Sequence, residues 1–162
     1  MARDNRLISL ALVILIGIIV QVGLFRLDNS DTPAKTAVKF TKAYYKLDKS
    51  MSKYLCKELA KEDGAIVDEF INREADKAVE LGYNATYMRS ALYSIHTEIE
   101  EVDDSKVTVR LSAHRKRYIN PIYTIIGNLF LIGETYDVDE TINLKKEDGK
   151  WKVCGKVFEL SS

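Results

Sequence analysis

The chain has 162 residues, with 24 Lys and Arg against 24 Asp and Glu, so no global field draws it to nucleic acid or to a strongly acidic partner. Two cysteines separated by almost a hundred residues share no metal-ligand spacing, which leaves a disulfide or two buried thiols as the alternatives and predicts no metal and no cofactor. Length allows one domain of ordinary size behind any N-terminal segment.

In chain order, the first feature is Leu7 to Phe25, an uncharged apolar run bounded by Arg6 and Arg26. A helix of this length covers the roughly 30 Å hydrocarbon core of a bilayer, so the run predicts a transmembrane signal anchor. The immediate flanks place the N-terminus in the cytoplasm of a bacterial cell and the rest of the chain in the periplasm, as a single-pass inner-membrane protein. The expected division is 1–27 for tail and span, 28–33 for a linker, and 34–162 for an extracytoplasmic domain. Pro33 suits a first helical turn, and Ala37, Phe40, Thr41, Tyr44 and Leu47 mark the inner face of a helix reaching about Asp48. A second short helix is expected from Ser50 to Ala60, with Met51, Tyr54 and Leu55 inward. Lysines from Lys35 to Lys61 recur at three and four on the opposite side. Asp63 opens a third helix with Ile66, Val67, Phe70, Ile71, Ala75, Ala78 and Val79 inward, and Gly82 stops it.

From Ala91 the period changes to two. Tyr93, Ile95 and Ile99 are expected inward on a first strand, and Val107, Val109, Leu111 and Ala113 on a second. The alternation then gives way to His114-Arg115-Lys116-Arg117 and to an apolar run from Ile122 to Ile132. A third strand from Tyr136 to Leu144 turns Tyr136, Val138, Ile142 and Leu144 inward, with Glu140 in the same phase. Asp148-Gly149 predicts a tight hairpin into a last strand carrying Trp151 and Val153, with Gly155 at a bulge. The class is therefore α+β: three helices packed in a curved antiparallel sheet of about four strands, behind the N-terminal helix.

The helix ending at Tyr44-Tyr45, the acidic strand ending at Leu144 and the hairpin into Gly149-Lys150-Trp151-Lys152-Val153 resemble the nuclear transport factor 2-like superfamily of cone-shaped domains. That resemblance implies a pocket between sheet and helices without fixing what it does. A single span followed by such a domain is similar in layout to the bitopic assembly subunits of type IV secretion systems and to membrane proteins associated with mammalian-cell-entry lipid transporters. This layout implies a non-enzymatic accessory or scaffold protein of an inner-membrane assembly.

Two sets of residues are singled out. Arg115, Lys116 and Arg117, followed by Ile122, Ile125, Ile126, Leu129 and Phe130, form a basic collar and apolar run suited to contact with the lipid bilayer, a protein partner or a second copy. Glu140, with Tyr44, Tyr45 and His96 as neighbours, is the candidate pocket. A desolvated carboxylate in a cone is how similar domains carry out isomerase and dehydratase chemistry, whereas a salt bridge from Glu140 to Arg110 or Arg115 is the structural alternative.

Overall fold

A computed structural model describes residues 12–21, 31–60, 65–103, 105–117 and 135–159. Two units are distinguished, Met1–Asp31 and Thr32–Ser162. In the first, residues 12–21 are helical and their apolar side chains are exposed. No helix among the described residues is long and apolar enough to cross a membrane. The expected transmembrane anchor is corrected accordingly, and with it the single-pass inner-membrane location and the periplasmic placement.

The second unit begins with helix α1, Pro33–Lys46. Thr32 caps it by accepting the Lys35 amide at 3.3 Å, and proline, which has no amide to lose, occupies the first turn. Its end is set by Leu47, a non-glycine residue at φ 52°, whose amide and that of Asp48 close back on the Tyr44 and Ala43 carbonyls. Leu47 is buried, so its packing offsets the left-handed backbone. A 3-10 helix, Lys49–Tyr54, follows under an Asp48 cap, and the Ser50 amide that Asp48 accepts holds its carboxyl below the usual range.

The expected helix from Ser50 to Ala60 is broken in the middle. Leu55 adopts extended backbone and pairs in parallel with Val153, and the Cys56 amide donates to the Val153 carbonyl at 2.9 Å. Only Lys57–Ala60, α2, resumes helical geometry. Tertiary pairing with the last strand thus overrides the local periodicity. Helix α3, Ala65–Glu80, buries Val67, Phe70, Glu74 and Ala78, a narrower stripe than expected, and Val79 is exposed. Gly82, at φ 80°, terminates it.

Four strands, β1 (Ser90–Val102), β2 (Lys106–Arg117), β3 (Thr135–Glu147) and β4 (Lys150–Cys154), form one antiparallel sheet in the order of the sequence. On β2 and β3 the expected alternation is found: Val107, Val109, Leu111 and Ala113 face Val138, Ile142 and Leu144 in the core. On β1 it is not. Ser94 takes φ 49° and the register to β2 shifts between Tyr93 and His96. That bulge turns Tyr93 to the outer face, where its ring lies 5.5 Å from the His114 ring, while Leu92 and Ile95 pack toward the core. Asp148 at φ 50° and Gly149 at φ 78° make the hairpin between β3 and β4, a backbone that glycine adopts without strain.

The core lies between the inner face of the sheet and the helices, where Phe40 and Met51 meet Leu111, Ile142, Leu144 and Val153. Cys56 and Cys154, 5.5 Å apart at Cα, are joined in a disulfide that clips the segment after the 3-10 helix to the end of β4. Phe40→Ala is expected to lower the unfolding free energy by about 3–5 kcal/mol through lost burial and a residual cavity. Ile99→Ala, at a residue 52% exposed beyond the bulge, should change it by less than about 1 kcal/mol. Urea denaturation of the two variants checks the contrast.

Candidate functional site

The inner face of the sheet changes character along its length. Following β2, Val109, Leu111 and Ala113 lead in the same two-residue phase to Arg115 and Arg117, and along the paired strand Ile142 leads to Glu140, Val138 and Tyr136. Since side chains alternate between faces, a strand that buries its odd positions continues to direct them inward when they become arginines. The result is a charged end to an otherwise apolar layer.

Helix α1 supplies the opposite wall. Tyr44 and Tyr45 are sequence neighbours about 100° apart around the helix axis, so they serve different surfaces. Tyr44 stacks on Phe70 of α3 at 4.6 Å between ring centroids. Tyr45 points to the sheet, where its hydroxyl donates to Glu140 Oε1 at 2.9 Å and its ring lies 5.4 Å from the Arg115 guanidinium carbon. That guanidinium also lies 5.5 Å from the Tyr136 ring, and Arg117 lies 5.0 Å from the Tyr87 ring while donating to the Tyr87 hydroxyl at 3.1 Å. Cation–π contact of this kind is worth roughly 0.5–2 kcal/mol and rises as water is excluded.

These groups line a half-open cavity of about 180 Å³. Its apolar lining is Leu47, Phe70, Met88 and the two tyrosine rings, and its charged lining is Glu74, Lys77, Arg115 and Arg117. Glu74 is buried and accepts from Lys77 Nζ at 2.6 Å, one turn along α3. Arg115 Nε is buried with no hydrogen-bond partner. Burial, reinforced by the carboxylates of Glu74 and Glu140, raises the Tyr44 phenol far above its ordinary value.

Of the expected pocket residues, Glu140, Tyr44 and Tyr45 are brought together and His96 is not. His96 is exposed, opposite Ser112 on the outer face of the sheet. Arg110 is on that outer face too, forming a bidentate pair with Asp139, so it does not serve Glu140. Arg115 and Arg117 extend the inner face beside the tyrosine rings, with Lys116 in the opposite phase of the strand. Ile122, Ile125, Ile126, Leu129 and Phe130 lie outside the described residues. The sequence reading missed Phe70, Glu74, Lys77 and Met88 as cavity lining. Two signals were available: Arg115 and Arg117 keep the phase of Val107 to Ala113, and Glu74 keeps the phase of Val67, Phe70 and Ala78.

Away from this cavity, one further set of donors is close together among the described residues: Cys56 Sγ, Cys154 Sγ and a Glu147 carboxylate oxygen, all within 4.8 Å of one another.

No protein-family model matches the chain, and no characterised protein matches it in sequence. The described four-stranded meander with helices on one face does not by itself show the nuclear transport factor 2-like fold, and that resemblance rests on the sequence features alone.

The Tyr44 phenol sets a pH dependence. Because its native value is raised, folding is supported fully below the ordinary tyrosine value of 10.0. Above that, the unfolded chain releases the proton while the native state holds it, so stability falls as pH rises. Tyr44→Phe should flatten this alkaline slope, read from denaturation midpoints between neutral pH and the alkaline limit. Tyr45→Phe removes a donor from buried Glu140 and is expected to cost about 1–3 kcal/mol, with a coupling to Glu140→Gln that a double-mutant cycle measures.

Proposed function

We propose that the domain is a non-enzymatic binding module for a small monoanionic ligand with a compact apolar body, such as an aromatic or short-chain carboxylate. The observation that carries this reading is Arg115 Nε, a buried cationic donor without a partner beside a cavity of about 180 Å³. A buried unsatisfied donor costs on the order of 1–3 kcal/mol, more when charged, and an incoming carboxylate offsets it by accepting two guanidinium hydrogens side by side.

Size sets the rest of the ligand. An engineered apolar cavity of about 150 Å³ takes benzene, so this cavity suits one ring or an aliphatic body of similar volume. Phe70, Met88 and the face of Tyr44 supply apolar contact for it. Charge agrees, because Lys77 is already engaged by Glu74 whereas Arg115 and Arg117 face aromatic rings, which do not neutralise them.

Binding is favoured over acid–base catalysis by the position of Glu140. One of its oxygens is taken by the Tyr45 hydroxyl, and it stands behind Tyr45, outside the cavity lining. Its role is to fix the tyrosine against Arg115. A partner-binding scaffold, the other reading, rests on the apolar residues from Ile122 to Phe130, and these lie outside the described residues.

Isothermal titration of the full chain with benzoate, cyclohexanecarboxylate and the uncharged benzamide tests the proposal. Both carboxylates are expected to bind at least tenfold more tightly than the amide, equivalent to about 1.4 kcal/mol. Arg115→Met should remove that preference while leaving the amide unchanged. Equal binding of benzoate and benzamide, or an unaltered preference in Arg115→Met, overturns the reading.

A further inference from the structure

At the end of β3 remote from the tyrosine cavity, the fold assembles a second group of reactive side chains. Cys56 follows Leu55, the residue that pairs with Val153, and Cys154 is the last residue of β4. Glu147 ends β3, and the hairpin at Asp148-Gly149 folds β4 back beside it. The segment at Cys56 and the β3–β4 hairpin, far apart in sequence, therefore deliver two sulfurs and a carboxylate to one spot, with every donor within 4.8 Å of the others. Glu147 is already oriented, since its Oε2 accepts the Lys57 amide at 2.9 Å. Cys56 is buried, whereas Cys154 borders an open depression lined by Glu58, Lys106, Asn143 and Gly155, which gives solutes access.

We propose that reduction of the Cys56–Cys154 disulfide converts this corner into a zinc site with three protein ligands, Cys56 Sγ, Cys154 Sγ and the Glu147 carboxylate, and an open fourth position. Two thiolates select a borderline-soft ion over magnesium or calcium, and three ligands with one vacancy is the pattern of reactive, not purely structural, zinc. Zinc–sulfur bonds of about 2.3 Å and zinc–oxygen bonds of about 2.0–2.2 Å in a tetrahedron bring the donors to about 3.5–3.8 Å from one another. Reaching that set takes side-chain rotation in which the carboxylate closes in by about an ångström and the two sulfurs, released from their bond, move apart by somewhat more. The backbone is held for it by the Leu55–Val153 bridge and the Cys56 amide bond to the Val153 carbonyl, which are main-chain contacts and use neither sulfur.

The chemistry balances. A water-soluble phosphine donates two electrons to the disulfide and takes oxygen from water to become its oxide; the sulfur–sulfur bond breaks and two thiols form. Binding of the dication then displaces two protons from those thiols, so uptake becomes weaker as pH falls. The corner has two exclusive states, covalently closed when oxidised and metal-closed when reduced.

The test uses the full chain, reduced with phosphine under anaerobic conditions, with Zn²⁺ measured by competition against a chromophoric chelator and Co²⁺ as a spectroscopic substitute. Reduced protein is expected to take one ion per chain and to show a thiolate-to-cobalt charge-transfer band, and oxidised protein neither. Glu147→Gln should weaken zinc binding by about tenfold or more, given that even outer-shell partners of a metal ligand are worth 10–100-fold. This variant alters a half-buried residue at a strand end, so it keeps the test open if Cys154→Ser, expected to abolish binding, does not fold. Absence of uptake by reduced protein, equal uptake by oxidised protein, or unchanged affinity in Glu147→Gln overturns the proposal.

Discussion

The pairing of β2 with β3 is the constraint on which the rest of this domain depends. Its register runs without interruption from Lys106 opposite Lys145 to Lys116 opposite Thr135. Once Val109 and Ile142 are fixed inward by burial, the two-residue period leaves no freedom over the remaining positions, and a slip of one residue would expose the whole apolar set. Arg115, Arg117 and Glu140 are therefore carried to the inner side by their neighbours' hydrophobicity, against their own preference for water. Arg110 and Asp139, one position out of phase, meet each other on the outer face.

Charges brought inward in this way need compensation, and the helices provide it with aromatic rings and hydroxyls. The Tyr45 hydroxyl satisfies one oxygen of Glu140, and its ring faces Arg115. A single side chain thus bridges a buried anion and a half-buried cation. Tyr44, on the next position of the helix, stacks on Phe70 and couples α3 to the same end of the layer. The aromatic cluster keeps the charged end from collapsing, because rings are stiff and hold their spacing where flexible aliphatic chains would fill it. A cavity persists at this end, whereas toward the other end Val107, Leu144 and Val153, neighbours across the three strands, belong to the buried core.

Much of this was legible in the sequence where the signal is local. Phe40 and Tyr44 on α1, the alternation of β2 and β3, and the Asp148-Gly149 turn all express a period or a backbone preference within a few residues. What was not legible depends on partners distant in the chain. Leu55 looked helical and is extended because Val153 pairs with it. Tyr93 looked inward and is outward because Ser94 inserts a bulge that no composition rule marks. The apolar run from Leu7 to Phe25 read as a membrane span, and no helix among the described residues is long and apolar enough to cross a membrane. At the cavity, the tyrosines and Glu140 were found by their phase. Arg115 and Arg117 were assigned to a surface because consecutive basic residues suggest one, although their phase already pointed inward.

The disulfide shows how one covalent link can matter to a site it does not touch. Cys56 and Cys154 are 98 residues apart, and closing a loop of that length is worth about 4.7 kcal/mol in the chain-entropy account, a large share of the 5–15 kcal/mol of a typical domain. The loop encloses α3, β1, β2 and β3, hence Phe70, Glu74, Arg115 and Glu140, and it excludes α1 with Tyr44 and Tyr45. The cavity is assembled from both sides of that boundary, so its Tyr45–Glu140 bond and Tyr44–Phe70 stack are contacts that any global opening must break together. Glu147 and Glu140 belong to one strand, separated by seven residues or about 24 Å of extended chain. That strand is too continuous to loosen at one end without cost at the other. The cross-link at the Cys56 corner therefore contributes to the stability of the fold that holds the tyrosine cavity, with no need of a direct path between them.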